Sequence, residues 1–289
     1  MALTIETLQC GNIRLDNSFL VQYQSPGALT YVRTNAFLIK DFNKGPLLVD
    51  TGFRGTDIMA SVGMEAYVPE GGGLETELEK RGLRPKDIRF VLHTHLHIDH
   101  AGKDDLFPDQ TSVIVNRREL EVACGGSAGG AYPAVDMKHL LGRVWSKNAI
   151  QFLDLEQGDV IELGAGLAVE LAGGHTEGSL NVLVETADGL ARICGDVVYN
   201  FNSQLVDAFE ENALREPHIS GNHAGSERSE RAAMKRAMSG CRWLLPSHDA
   251  PAKLNQGEVV GRVVEASIPG PVISNSEFQI RHADLSPRK

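Results

Sequence analysis

The segment Thr94-His95-Leu96-His97-Ile98-Asp99-His100 places four side chains able to bind a cation within six positions. In extended backbone, side chains alternate faces with a period of two, so His95 and His97 point to one side and Asp99 continues that row. His100 follows at once and reaches a neighbouring site only if the chain turns there. The pattern predicts a strand end that feeds two adjacent metal positions rather than one closed site. Other donors occur in similar settings. His175 lies in Gly-Gly-His-Thr-Glu-Gly-Ser after the alternating run 167–171, Asp196 just past the strand-like run 190–194, and His248 just past the apolar run 243–245. Each stands at the end of a predicted strand beside Gly, Pro or Ser, where a sheet protein gathers side chains from distant segments. Burying so many imidazoles and carboxylates together without a cation would be costly.

The elements that must hold these residues mix two periods. Strand-like runs fall at 36–40, 47–50, 90–93, 112–115, 167–171 and 180–185. An amphipathic helix is predicted over 74–81, ending at Gly82. The best-marked helix is 226–239: Ser226 can cap it, Glu227 and Glu230 sit in its first turn and Gly240 closes it. Its Ala232, Ala233, Met234, Ala237 and Met238 should face a sheet. Periodicity alone gives an α-plus-β class. Motifs scattered from Asp50 to His248 argue for a single domain over 1–289, since every part of the chain contributes to one site.

A formal net charge of −10 argues against a general nucleic-acid-binding role. The start of the chain has no basic-then-apolar pattern of a signal peptide, and no run approaches the length of a membrane span. Cys10, Cys124, Cys194 and Cys241 show no paired spacing and fit reduced thiols, so a cytoplasmic location is expected. Cys194, two residues from Asp196, reads as a small apolar strand residue rather than a ligand.

The order His-x-His-x-Asp-His, Gly-His-Thr-x-Gly-Ser, Gly-Asp and a late Ser-His resembles the metallo-β-lactamase superfamily, and the early Leu-Leu-Val-Asp-Thr-Gly (47–52) also fits. The resemblance implies an α/β fold, an αβ/βα four-layer sandwich. It implies that His95, His97 and His175 hold a first metal, that Asp99, His100 and His248 hold a second, and that Asp196 bridges them. Asp50 resembles a family aspartate that orients the ligand loop without binding metal. Mononuclear iron persulfide dioxygenases are less similar. Secreted β-lactamases usually lack the bridging aspartate, which disfavours an antibiotic lactamase. Tyr199 stands three positions after Asp196, the offset at which the N-acyl homoserine lactonase branch carries a tyrosine that hydrogen-bonds the substrate carbonyl.

The resemblance therefore implies a hydrolase that opens a lactone ring by attack of a hydroxide bridging two divalent ions. Tyr199 would assist at the carbonyl oxygen and Asp99 would shuttle a proton to the leaving oxygen. The imidazole-rich set suits zinc best, with manganese, iron or cobalt also fitting. The expected partner is a small-molecule lactone or ester, with no nucleic acid and no membrane; a homodimer is the one assembly entertained. The alternatives are a hydroxyacylglutathione hydrolase-like thioesterase, a phosphotriesterase-like hydrolase, and a metal-dependent binding or regulatory module. The thioesterases usually carry basic C-terminal residues, and Arg281, Arg288 and Lys289 form no recognisable pattern here. His93 is read as packed or supporting, and Asp249 as either exposed or supporting. His218 and His223 are candidates for touching substrate, His139 and His282 lack a motif, and the glycine-rich stretch 124–130 is a candidate flap. The tail 274–289 reads as a short strand, 278–280, and a frayed end.

Overall fold

The computed structural model describes residues 2–126, 129–212, 214–220 and 225–263. Seven strands form one mixed sheet: β1 (Thr4–Asp16), β2 (Leu29–Lys40), β3 (Leu47–Val49), β4 (Glu65–Tyr67), β5 (Phe90–Leu92), β6 (Ser112–Asn116) and β7 (Ile150–Leu153). Their order across the sheet is β4-β1-β2-β3-β5-β6-β7. Seven more form a second: β8 (Val160–Gly164), β9 (Leu167–Leu171), β10 (Leu180–Thr186), β11 (Gly189–Gly195), β12 (Trp243–Pro246), β13 (Ala252–Asn255) and β14 (Glu258–Arg262). These run in reverse chain order, β14 to β8. A bridge between Leu3 and Thr186 stitches the two sheets together near the start of the chain.

The helices are α1 (Asn17–Leu20), α2 (Thr56–Ser61), α3 (Leu74–Glu79), α4 (Arg117–Cys124), α5 (Ala134–Gly142), α6 (Asp207–Glu211) and α7 (Glu227–Met238). Strand alternation sorts apolar side chains into layers. Phe37, Ile39, Leu47, Val49 and Leu92 of the first sheet meet Val169, Val182, Val184 and Ile193 of the second in one buried cluster. The opposite face of the first sheet, with Leu38, Leu48, Val91 and Val113, packs on Leu74 and Leu78 of α3 and Met137 and Leu140 of α5. The outer face of the second, with Cys194, Leu244 and Ala252, packs on Ala233, Met234, Ala237 and Met238 of α7. The result is the four-layer sandwich that the family resemblance implies. Each fully buried aliphatic or aromatic side chain in these layers contributes roughly 1.5–3 kcal/mol.

The best-marked predicted helix matches α7 closely. Ser226 accepts from Ser229 N at its start, and Gly240 follows its end with φ +72°. Ala232 is only half-buried, at the flank of the face that packs on the sheet. The helix expected over 74–81 is the shorter α3. The expected tail strand 278–280 lies outside the described residues.

One local expectation changes. Residues 93–100 are not the end of a strand: β5 stops at Leu92 and the ligand segment is a loop ending in a turn, with His100 N and Ala101 N donating to His97 O. The physical reason is that its backbone groups find other partners. Thr94 N donates to Asp50 Oδ1, Leu96 N to Glu119 Oε1 and Ile98 N to Ala131 O, while Thr94 O accepts from Leu180 N and His100 O from Thr51 N. Leu96 and Ile98 are buried in two different apolar clusters, and His95 and His97 turn into the donor group.

Gly102 ends this loop against bare backbone. A Cβ there would stand 2.3 Å from Arg54 N and 2.8 Å from both Gly52 O and Ile98 O. Backbone cannot retreat as a flexible side chain can. Gly102→Ala is expected to cost about 1–3 kcal/mol by overpacking, read as a lower denaturant midpoint. An unchanged midpoint would show that the loop is free to relax.

Candidate metal centre

Asp50, His95, His97, Asp99, His100, His175, Asp196 and His248 all come from segments that follow strand ends: β3, β5, β9, β11 and β12. The pairs β3/β5 and β11/β12 are parallel, so these segments leave at one edge of the sandwich. That edge is where the two sheets can contribute jointly.

The seven sequence-predicted donors converge. His95, His97, His175 and Asp196 form one group whose donor atoms lie within 4.8 Å of one another, and Asp99, His100 and His248 form another. In the first, His95 Nε2, His97 Nδ1 and His175 Nε2 make a triangle with sides of 3.0–3.2 Å. Asp196 Oδ2 lies 3.6 Å from His175 Nε2 and 3.8 Å from His95 Nε2. The same carboxylate faces the second group, with Oδ1 3.2 Å from His100 Nε2 and Oδ2 3.2 Å from His248 Nε2. Asp99 Oδ2 is 3.4 Å from His248 Nε2, and Asp99 Oδ1 is 3.8 Å from His100 Nε2.

The outer nitrogens of these rings explain why the inner ones are available. His100 Nδ1 donates to Asp50 Oδ2 at 2.9 Å, and His248 Nδ1 donates to the carbonyl of Arg33 at 2.6 Å. His95 Nδ1 lies 3.1 Å from Thr94 Oγ1, whose own hydrogen goes to Asp50 Oδ2. His175 Nδ1 lies 3.4 Å from Tyr199 Oη. With Nδ1–H engaged outward, each of these rings turns a lone-pair Nε2 into the cluster, the arrangement a metal-binding histidine needs.

These donors fit divalent cations. Three lone-pair nitrogens packed at hydrogen-bond distance cannot all be satisfied by shared protons. Burial, reinforced by the neighbouring imidazoles, pushes the His95 and His97 rings well below the usual histidine range. His100 Nε2 and Asp196 Oδ1 are buried and make no aligned hydrogen bond among the described residues. Burial alone would depress His100 too, but Asp196, Asp99 and Asp50 outweigh it and raise its pKa well above normal. For Asp196, burial is outweighed by His248 and His100, which hold it well below the ordinary carboxylate range. A cation bound there would compete with a proton for His100 Nε2.

Asp50 is not a donor to either group. It is fully buried and accepts from Thr94 N at 2.8 Å, Thr94 Oγ1 at 2.7 Å and His100 Nδ1. Tyr199 is 2 % exposed, and its ring stacks on His248, with centroids 5.1 Å apart and planes 2° apart. It therefore touches one histidine of each group. A π-helical turn over Asn202–Val206 supports it, because the buried Gln204 Oε1 accepts from both Tyr199 N and Asn200 N. Asp249 is partly buried, accepting from Phe201 N and pairing with Arg262. His218 sits apart from the donors, with Nδ1 donating to Ser203 O, and His223 lies outside the described residues. In the glycine-rich stretch, Ser127 and Ala128 lie outside the described residues.

Two further supports were not visible in the sequence. Glu119, fully buried in the first turn of α4, accepts from Leu96 N, Tyr132 Oη and Thr176 Oγ1, and so ties the 93–100 loop to the His175 loop. Burial pushes its carboxyl up despite those donors. Tyr132 in turn places its ring edge-on to His97 at 4.9 Å. In the sequence Glu119 is a single acid after Arg117 and Arg118 at the start of α4, and it reads there as an ordinary first-turn charge.

Residues 29–256 match the Metallo-beta-lactamase superfamily. The chain belongs to that superfamily. An N-acyl homoserine lactonase from Bacillus cereus is 27% identical over 208 residues, 68% of this chain and 77% of that protein. The N-acyl homoserine lactonase AttM of Azorhizobium caulinodans is 31% identical over 218 residues, 70% of this chain and 80% of that one. Among solved structures, an N-acyl homoserine lactone hydrolase with N-hexanoyl-L-homoserine at its catalytic metal centre superposes with a TM-score of 0.62 at 21% identity. That match covers 82% of this chain and 88% of that one. The likeness of a metallo-beta-lactamase fold is thus found by both sequence and shape.

His93 gives this centre a pH signature. It lies between Asp104, 2.9 Å from Nε2, and Asp50, 3.5 Å from Nδ1. Burial opposes its charge, but the two carboxylates outweigh burial and push its pKa up to about 9. An unfolded histidine titrates near about 6.5, so the folded chain keeps a proton that the unfolded chain has released. The stabilisation is full below the unfolded value and fades as pH rises through about 9. Compared in chelator, wild type should exceed His93→Gln in denaturation free energy more at pH 6 than at pH 9.5. A difference constant across that range would refute the charged pairing.

Proposed function

We propose that this chain is a dinuclear metal-dependent lactonase acting as one catalytic domain, with an N-acyl homoserine lactone as the substrate class. The observation that carries the reading is the single carboxylate of Asp196 shared by two donor groups, with Tyr199 touching a histidine of each. The relatives named as lactonases support a lactone over a thioester or a phosphotriester. His95, His97 and His175 would hold one ion, Asp99, His100 and His248 the other, and Asp196 both. The donor set of five imidazoles and two carboxylates suits zinc. Two divalent cations held this way supply Lewis acidity toward a carbonyl oxygen and lower the pKa of bound water to about 7.

The side chains divide the remaining work. Tyr199 keeps its phenolic hydrogen when His175 Nδ1–H is the donor in their contact, so it can donate to the carbonyl oxygen as negative charge develops there. Asp99, 7 % exposed and beside His248, is placed to carry a proton on a carboxylate oxygen to the departing alkoxide. A ring alkoxide is a poor leaving group, so proton delivery counts for more here than for a thiolate. The near-complete burial of His95, His100, His175 and His248 keeps bulk water from screening these charges. Among the described residues, no helix is long and apolar enough to cross a membrane. A cytoplasmic location belongs to the proposal, supported by the unpaired cysteines.

The deciding measurement compares kcat/KM for N-acyl homoserine lactones, simple γ-lactones and S-lactoylglutathione. A lactone is expected to lead; a thioester ahead of every lactone by about a hundredfold, or ~2.7 kcal/mol, would replace this reading with a thioesterase. Elemental analysis should approach two equivalents of metal per chain, and full activity at one unraisable equivalent would rule out the dinuclear site. Tyr199→Phe is expected to lower kcat by about ten- to a thousandfold at unchanged metal content. An undiminished kcat would leave Tyr199 as a packing residue.

A further inference from the structure

Behind the second donor group runs a row of four buried polar side chains: His100, Asp50, His93 and Asp104, each 2 % exposed or less. His100 Nδ1 donates to Asp50 Oδ2 at 2.9 Å. On the other side of Asp50, His93 Nδ1 faces Oδ1 at 3.5 Å. The far nitrogen, His93 Nε2, meets both oxygens of Asp104 at 2.9 and 3.0 Å. Asp104 is itself held by its backbone. Arg143, 2 % exposed, donates to the carbonyls of Asp104 at 3.0 Å, Phe107 at 2.6 Å and Thr111 at 3.1 Å. The row therefore ends on a fixed point, not in solvent.

Resting on the dinuclear reading above, we propose that His93 and Asp104 are positioning residues for the second metal ion. The argument follows the row inward. Asp50 has backbone φ +60°, a left-handed conformation uncommon outside glycine, which aspartate adopts more readily than most residues. Thr94 donates one hydrogen bond to each of the Asp50 carboxylate oxygens, from N to Oδ1 and from Oγ1 to Oδ2. His93 packs against the Oδ1 side and stops the carboxylate from rotating away from His100. Asp104 in turn fixes the plane of the His93 ring. With the carboxylate locked, His100 presents Nε2 toward Asp99 and Asp196. The first donor group reaches Asp50 through more intermediaries: His95 through Thr94 Oγ1, and His97 and His175 through His95 in turn. Loss of His93 or Asp104 must then fall selectively on the second ion. Partners behind metal ligands commonly govern affinity by about ten- to a hundredfold.

The test is zinc titration by calorimetry, in competition with a chelator, on wild type, His93→Gln and Asp104→Asn. Asp104→Asn keeps the shape and one acceptor oxygen, and serves if the larger change at position 93 does not fold. The step weakened by Asp99→Asn marks the second ion. Expected is a tenfold to hundredfold weaker second step in both variants, with the first step within about threefold of wild type. Cobalt should report the same split in its visible absorption at one and two equivalents. Two unchanged steps, or two steps weakened alike, would overturn the positioning role while leaving the dinuclear reading intact. A wild type that never takes a second equivalent would overturn both.

Discussion

The carboxylate of Asp50 is the interaction on which the site depends. It sits one residue beyond β3, in the first sheet, and takes three hydrogen bonds from the loop that follows β5: Thr94 N, Thr94 Oγ1 and His100 Nδ1. Those bonds do the work that a neighbouring strand would otherwise do for the backbone of residues 93–100. Without them the loop would carry buried, unsatisfied donors, at a cost of about 1–3 kcal/mol each. With them, four metal-competent side chains are delivered in a conformation that no regular element provides. Glu119 repeats the device on the other flank, binding Leu96 N and Thr176 Oγ1. Two buried carboxylates thus hold the two donor loops, and the donor imidazoles are left with inward lone pairs.

Much of this was legible in the chain because the chemistry is local. The donors of 95–100 are contiguous, and His175, Asp196 and His248 each lie beside small or turn-forming residues after an apolar run. The strands that were foreseen, such as 36–40 and 180–185, are short runs made mostly of apolar residues. The long β1 was not foreseen, for a physical reason. Its pairing with β2 shifts register between Gln9 and Gly11, so the period of two breaks in mid-strand, and its buried positions include Asn12. The peripheral strands β7, β8 and β14 are half-exposed and show little contrast between faces.

What sequence could not supply was the set of partners behind the ligands. Glu119, Tyr132 and Gln204 act through contacts spanning from a few to several tens of positions, and nothing in their immediate neighbours distinguishes them from ordinary helix or loop residues. The assignment of 93–100 to a strand end failed for a related reason. Periodicity reports which way side chains face in an extended strand, but it does not report where backbone hydrogen bonds go. Here they go to side chains of distant segments.

The outer contacts of the histidines differ in how they would respond to genetic change. His95 and His100 depend on side chains, Thr94 and Asp50, that one nucleotide change can remove. His248 instead leans on the main-chain carbonyl of Arg33, inside the long strand β2 and 215 positions away in the chain. A carbonyl is present whatever residue occupies position 33. The orientation of His248 is therefore insulated from point substitution at its own support and changes only if β2 itself moves. In a drifting lineage, the second donor group has one imidazole with a heritable weak point and one without.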